Sequence, residues 1–182
     1  MDSITQDLAR VFLIGIGATA AMDARLLLLK RLGVPTLNFR FIGRWTAHLA
    51  RGTWSHDAIA NATPVKGELA LGWLTHYAVG IVFAGLMVSI GGTTWLRHPS
   101  LLPALLVGMA TVIAPLFILH PAMGAGIASS RTATRARNCI RSLANHTVFG
   151  LGLYLAASLV ESVLPMAQLA ATTLPVSAGA LS

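Results

Sequence analysis

The stretch that decides the fold is residues 11–29, VFLIGIGATAAMDARLLLL, whose charged members are Asp23 and Arg25. A helix needs roughly 20 mainly apolar residues to cross the hydrocarbon core of a bilayer, so this stretch predicts a membrane-spanning helix. A carboxylate at the centre of such a helix costs about 2.5–3.5 kcal/mol on insertion scales. We therefore expect Asp23 to face protein or water rather than lipid.

The composition of the whole chain also indicates a membrane protein. Of its 182 residues, 55% are hydrophobic and 10% are charged, whereas soluble domains have about 25% charged residues. The formal net charge is +7, but the basic residues lie between apolar runs, where lipid headgroups act, so we expect no nucleic-acid partner. The single cysteine, Cys139, excludes an internal disulfide. Asp2 and Asp7 stand where a signal peptide would be basic, so the first apolar run is expected to be retained.

Apolar runs of spanning length recur along the chain, at about residues 11–30, 69–90, 100–120 and 143–164. Alternating ten-residue strand patterns are absent, which favours helices. We predict an all-α, polytopic membrane protein with one domain, residues 1–164, that forms a bundle of four transmembrane helices. A loose tail is expected over residues 165–182, which contain Pro165 and Pro175. Since four short helices enclose little volume, a homo-oligomer is also expected.

The basic residues predict which side of the membrane each loop faces. The long connections, residues 30–68 and 121–142, contain six and four Lys or Arg residues, whereas the short turn 91–99 contains only Arg97. Positive charge marks the cytoplasmic side of a membrane protein. Both long loops are therefore expected inside and both termini outside.

The first long loop contains a second helical pattern, in residues 39–51. Phe41, Ile42, Trp45 and Leu49 recur at helical spacing, and basic side chains occupy the opposite face. This pattern is typical of an amphipathic helix on the membrane surface, although a solvated basic loop has a similar composition. The residues expected to contact anionic lipid headgroups are Arg40, Arg44 and Arg51.

Several polar residues fall in the cytoplasmic half of the predicted bundle. Asp23 lies roughly 10 Å from the inner end of the first helix, at 1.5 Å per residue, and His76 lies at a similar depth in the second. The candidate residues for a substrate or proton site are Asp23, His76, His146, Glu68, Asn145 and Tyr77, and the third helix adds His120 at its inner end. Pro115 is expected to kink the third helix above His120.

Rows of small residues predict which helix faces approach closely. His76 lies in a row with Gly72 and Gly80, and Asp23 lies in a row with Thr19, each at a spacing of four residues. Membrane helices approach closely where such rows meet. We therefore expect His76 and Asp23 to point toward the axis of the bundle.

Three interpretations of this cluster remain open. Asp23, His76, His146 and His120 could bind a divalent metal such as zinc or iron, in a metal-binding protein or a membrane enzyme, although their spacing matches no known ligand motif. They could instead form a proton-linked site that handles a small solute or ion. The third interpretation is a structural cluster that holds the helices in register, with Asp23 paired to Arg25, His76 or a backbone donor.

Other residues carry weaker signals. Residues 15–20 match the Gly-x-Gly-x-x-Ala spacing of a dinucleotide-binding fingerprint. No strand precedes them, so a nucleotide site is not expected. His48 and His56 in the first long loop could add metal ligands, although exposed histidines are usually solvated. Cys139 has no orienting partner that the sequence reveals, which argues against a nucleophile.

Five motifs, in order along the chain, carry a family resemblance. They are Gly15-Ile-Gly-Ala-Thr-Ala-Ala-Met-Asp23, Gly43-Arg-Trp45-x-x-His48, Gly72-Trp-x-x-His76-Tyr77-x-x-Gly80, Pro121-Ala-Met-Gly124 and His146-x-x-Phe-Gly-Leu-Gly-Leu-Tyr154. Over residues 10–158 the chain resembles domain of unknown function 2938, an uncharacterised family of multi-pass proteins of the bacterial inner membrane. The resemblance implies a multi-pass protein of the bacterial inner membrane. It implies no particular reaction. Many relatives are expected to carry Gln in place of His120, which implies that His120 is not an essential ligand.

Overall fold

The computed structural model describes the backbone of residues 3–173 and the side chains of residues 3–163. The described chain is helical and contains no strand, so the all-α prediction is confirmed. Its main elements are α1 (Ser3–Arg31), α2 (Phe39–Leu49), α3 (Glu68–Arg97), α4 (Leu101–Ala110), a π-helical segment (Pro115–Leu119), α5 (His120–Ala122) and α6 (Arg135–Thr173). Two short 3₁₀ helices, Ile59–Asn61 and Ile127–Ser129, lie in the loops.

Four stretches of the described chain are long and apolar enough to cross a membrane, namely Ser3–Arg31, Glu68–Arg97, Leu101–Ala122 and Arg135–Val163. Between 22% and 33% of the most apolar window of each stretch is buried inside the bundle. Most of the apolar surface of these helices therefore faces outward, which is unfavourable in water and favourable in lipid.

The helices correspond to the predicted runs, but two of them are longer. α1 begins at Ser3 rather than near residue 11. α6 begins at Arg135 rather than near residue 143, since residues 135–145 contain neither Gly nor Pro to stop a helix. The tail predicted to be loose from residue 165 is helical as far as Thr173, and residues 174–182 lie outside the described range.

The helices pack in a defined order of neighbours. α1 packs against both α3 and α6, α4 packs against α6, and the short α2 packs against α3. Ile14 of α1 and the pair Phe149 and Leu153 of α6 are almost completely buried in the core. Small residues allow the close contacts, as the rows predicted: a Cβ atom at Gly80 of α3 would overlap the hydroxyl of Thr19 on α1.

Two irregular positions interrupt the regular α-helical pattern. Pro115 has no N–H to donate and begins the π-helical segment, where the N–H of His120 bonds to the carbonyl of Pro115. In α3, Gly92 adopts φ 73° and ψ 172°, a conformation that favours glycine. The chain beyond Gly92 turns back so that Trp95 and Leu96 are buried in the core.

The two long loops, residues 32–67 and 123–134, meet at one end of the bundle, which we call the loop end. The N–H of His56 donates to the carbonyl of Ala122 at 2.9 Å, and the N–H of Ile59 donates to the carbonyl of Met123 at 3.1 Å. These bonds join the loop after α2 to the chain that follows α5.

Candidate functional site

Asp23 faces α3 in the half of the bundle nearest the loop end. Its Oδ1 lies 3.0 Å from Nε2 of His76, and its Oδ2 accepts a hydrogen bond of 2.9 Å from the hydroxyl of Tyr77. The side chains of Asp23 and His76 are only 17% and 16% exposed. Of the expected partners of Asp23 the structure provides His76, and it adds Tyr77. We call these three residues the carboxylate site.

The carboxylate site forms because α1 and α3 approach closely next to it. Gly80 lies one turn beyond His76, and the hydroxyl of Thr19, one turn before Asp23, occupies the space that a side chain at Gly80 would need. Thr19 donates its own hydroxyl proton to the carbonyl of Gly15 at 2.8 Å, so it needs no partner on α3. The rows of small residues thus set the distance at which Asp23 meets α3.

Aromatic rings surround the carboxylate site. Phe39 of α2 stacks on Trp73 of α3 with ring centroids 4.1 Å apart, and the Phe39 centroid is 4.9 Å from that of His76. Trp73 lies 6.1 Å from His76 and 6.3 Å from Tyr77, measured between centroids. The site therefore combines one carboxylate with a wall of aromatic rings.

Sequence reasoning missed Phe39 and Trp73 as members of the site. The spacing of Trp73, His76 and Tyr77 could have revealed Trp73, because residues three and four apart share one face of a helix. Phe39 had no such signal, since it reaches the site only through the docking of α2 on α3.

α2 docks on α3 through two glycines. A Cβ atom at Gly43 would overlap the carbonyl oxygen of Glu68, and a Cβ atom at Gly72 would overlap the carbonyl oxygen of Phe39. The hydroxyls of Thr46 and Thr75 also lie 3.2 Å apart across this contact. The amphipathic helix exists as predicted, and one of its faces is held by protein.

The prediction that Arg44 contacts lipid headgroups is wrong. Arg44 is only 7% exposed, because the α2 face that carries it turns toward the start of α3. It bonds Glu68 at two points, 2.9 Å and 3.1 Å, and donates to the carbonyls of Ile59, Ala60 and Ala62. Hydrogen bonding to Glu68 raises the pKa of Arg44 above its ordinary value, so this guanidinium stays charged.

Glu68 belongs to this ion pair and not to the carboxylate site. Arg40 remains 57% exposed, 3.7 Å from Glu68, and Arg51 is exposed as well. Contact of Arg40 and Arg51 with anionic lipid headgroups stays a prediction.

The other candidates pair elsewhere. Nδ1 of His146 lies 2.8 Å from the hydroxyl of Thr111, and Nδ1 of His120 lies 3.0 Å from the hydroxyl of Ser129. Asn145 accepts a hydrogen bond from Arg25. Within the described residues, no group of three or more His, Cys, Asp or Glu side chains could hold a metal ion. The structure therefore does not assemble the metal-ligand set that the sequence suggested.

A pair of histidines lies at the loop end, where the sequence had indicated only separate candidates. Nδ1 of His48 is 2.8 Å from Nε2 of His56, and Nε2 of His48 is 3.1 Å from the carbonyl oxygen of Thr63. Nδ1 of His56 is buried and has no hydrogen-bond partner in the described part of the chain. His56 also lines an open cavity of about 1040 Å³ between the two long loops.

These features define a class, a bundle of four helices of membrane-spanning length with a docked amphipathic helix. The chain belongs to the family described as protein of unknown function (DUF2938), whose model matches residues 12–160. The family resemblance in the sequence is thereby confirmed. Comparison of the chain with curated proteins and with solved structures gave no match.

Proposed function

We propose that this chain is an integral membrane protein that handles a small solute or ion at the carboxylate site. The observation that carries the proposal is Asp23, a carboxylate within a helix of spanning length that bonds only to His76 and Tyr77 among the described side chains. Ionisable groups inside membranes are expensive, and they mark substrate pathways and proton relays.

The chemistry of the partner of Asp23 supports a site that can exchange a proton. Glu161 and Glu68 pair with arginines, whose guanidinium groups stay charged, whereas Asp23 pairs with an imidazole, which can release its proton. A carboxylate and an imidazole in contact can hold or release a proton when a solute arrives. Of the other ionisable groups on the neighbouring helices, Tyr77 on α3 bonds to Asp23, His146 on α6 bonds to Thr111, and Arg25 on α1 bonds to Asn145.

We also propose that the protein lies in a bacterial inner membrane with both termini outside. The support is that residues 30–68 and 121–142, which hold ten of the thirteen Lys and Arg residues, contain the two long loops that meet at one end of the bundle. In this orientation the carboxylate site lies in the cytoplasmic half of the protein.

The test of the proposed function compares wild type with Asp23→Asn, which keeps the size of the side chain and removes its ionisable proton. We expect a pH step on nanodisc-embedded wild type to change a carboxyl band in the infrared difference spectrum that Asp23→Asn lacks. Asp57→Asn, which alters an exposed aspartate in the first long loop, is the matched control and should keep the band.

A structural cluster would behave differently. If the wild type shows no band assignable to Asp23, or if Asp23→Asn no longer accumulates as a folded protein in the membrane, the proposed function is wrong. In that case Asp23 serves to hold α1 against α3.

A further inference from the structure

We infer that the solute is an organic cation, whose charge pairs with Asp23 and whose apolar body lies against the rings of Trp73, Phe39 and Tyr77. This inference rests on the proposed function, because it names the chemical class of the solute that the carboxylate site would take.

The first argument is the missing counter-ion of Asp23. Among the described residues no Lys or Arg forms an ion pair with this carboxylate, although Arg25 stands only two positions away in the sequence. Residues two apart on a helix do not share a face, and Arg25 bonds instead to Asn145 on α6. Asp23 therefore has no permanently charged partner among the described residues, and this is the role that the cation would fill.

The second argument is the aromatic wall. A cation is attracted to the face of an aromatic ring within about 6 Å of the centroid, most strongly to Trp, and alkylammonium ligands are recognised in this way. The rings of Phe39, Trp73, His76 and Tyr77 follow one another at centroid distances of 4.1–6.3 Å. His76 and Tyr77 both bond to Asp23, so the carboxylate is joined to this series of rings through two of its members.

The third argument disfavours calcium and magnesium. Calcium takes six to eight oxygen ligands and magnesium demands six in an octahedron. The carboxylate site offers one carboxylate, one phenol and one imidazole, which are too few oxygen ligands for either ion, and no group of three or more His, Cys, Asp or Glu side chains in the described chain could hold a metal. A large cation with diffuse charge needs no such shell, because it is weakly hydrated and its apolar parts gain from contact with the rings.

The fourth argument concerns access. Trp73 is 38% exposed on the outside of the bundle, although it lies in a helix of spanning length. A lipophilic cation dissolved in the outer region of the bilayer would reach the Trp73 ring before it reaches Asp23.

The experiment uses two probes of the same shape and opposite charge, the tetraphenylphosphonium cation and the tetraphenylborate anion. Binding to the full-length protein in nanodiscs would be measured by equilibrium dialysis, with empty nanodiscs as the blank. We expect saturable binding of tetraphenylphosphonium alone, at about one cation per chain. Asp23→Asn should abolish this saturable component.

Trp73→Ala and Trp54→Ala form a matched pair that does not depend on Asp23. Loss of the Trp73 ring should weaken tetraphenylphosphonium binding about tenfold, in the range of desolvated cation–π contacts. Trp54 is 69% exposed in the first long loop, and Trp54→Ala should leave the affinity unchanged.

The outcomes separate the inference from the proposed function. Suppose that Asp23 shows its infrared band but tetraphenylphosphonium binding does not saturate, or saturates equally in Asp23→Asn. The inference of an organic cation is then wrong, and the proposed function stands. Equal affinities of the Trp73 and Trp54 variants would also overturn the inference. An absent infrared band overturns the proposed function, and the inference with it.

Discussion

At the scale of single residues, the histidine pair of the loop end allows its hydrogens to be assigned. A carbonyl oxygen only accepts hydrogen bonds, so Nε2 of His48 must carry the hydrogen that it donates to Thr63. With both rings neutral, Nε2 of His56 donates to Nδ1 of His48, and Nδ1 of His56 holds a lone pair. One added proton converts that buried atom from an acceptor into a donor.

This assignment predicts a specific tautomer for each ring. When both rings are uncharged, His48 and His56 should each carry their hydrogen on Nε2, because each Nε2 faces an acceptor. Nitrogen NMR of ¹⁵N-histidine-labelled protein distinguishes the two ring nitrogens, and His48→Gln and His56→Gln assign the signals. An Nδ1–H tautomer for His48 would contradict the pairing, while exposed His98 serves as an unpaired reference.

At the scale of elements, α2 shows what a hydrophobic pattern predicts and what it does not. The helical spacing of the apolar residues, with basic residues on the opposite face, indicated a helix over residues 39–51, and α2 spans Phe39–Leu49. The pattern gave no reason to bury Arg44, because its partner Glu68 lies 24 residues further along the chain. Local spacing identifies a helix, whereas the choice of docking face depends on residues of another helix.

The docking of α2 leads to a prediction at Gly43. Gly43→Ala should push α2 away from the carbonyl of Glu68 and destabilise the docked state by about 1–3 kcal/mol, as overpacking of a tight contact does. Hydrogen exchange of residues 39–49, followed by mass spectrometry, would measure the opening. Gly85→Ala is the control, since its new Cβ atom would lie 3.9 Å from Val11, an ordinary contact distance. Equal exchange in the two variants would show that Gly43 does not set the docking.

At the scale of the whole molecule, the sequence predicted the four spans and placed Asp23 and His76 at one depth, and the structure brings these two together. The sequence could not predict which helices are neighbours. α4 packs against α6, so His146 meets Thr111 and remains apart from the carboxylate site. Likewise, His120 follows the π-helical segment and turns to Ser129. Hydropathy predicts how deep a residue lies along its helix. Its neighbours on other helices depend on helix packing, which hydropathy does not describe.

The proposed orientation gives a prediction for the complete chain. Alkaline phosphatase, which folds only outside the cytoplasm, should be active when fused after Ser182 and inactive when inserted at Gly52 in the first long loop. Green fluorescent protein at the same positions should give the opposite result. An active phosphatase at Gly52 would mean that the basic loops lie outside, and the carboxylate site would then open to the other side of the membrane.

The close contacts between α1 and α6 have a consequence for the synthesis of the protein. A Cβ atom at Gly152 would lie 2.9 Å from Cα of Ala18, and a Cβ atom at Gly17 would lie 2.7 Å from Cβ of Ala156, so α1 and α6 meet tightly. The ribosome makes α6 after the other described helices, so until then this face of α1 lacks its partner. His76 and Tyr77 are made much earlier, so Asp23 gains its partners on α3 before the bundle closes.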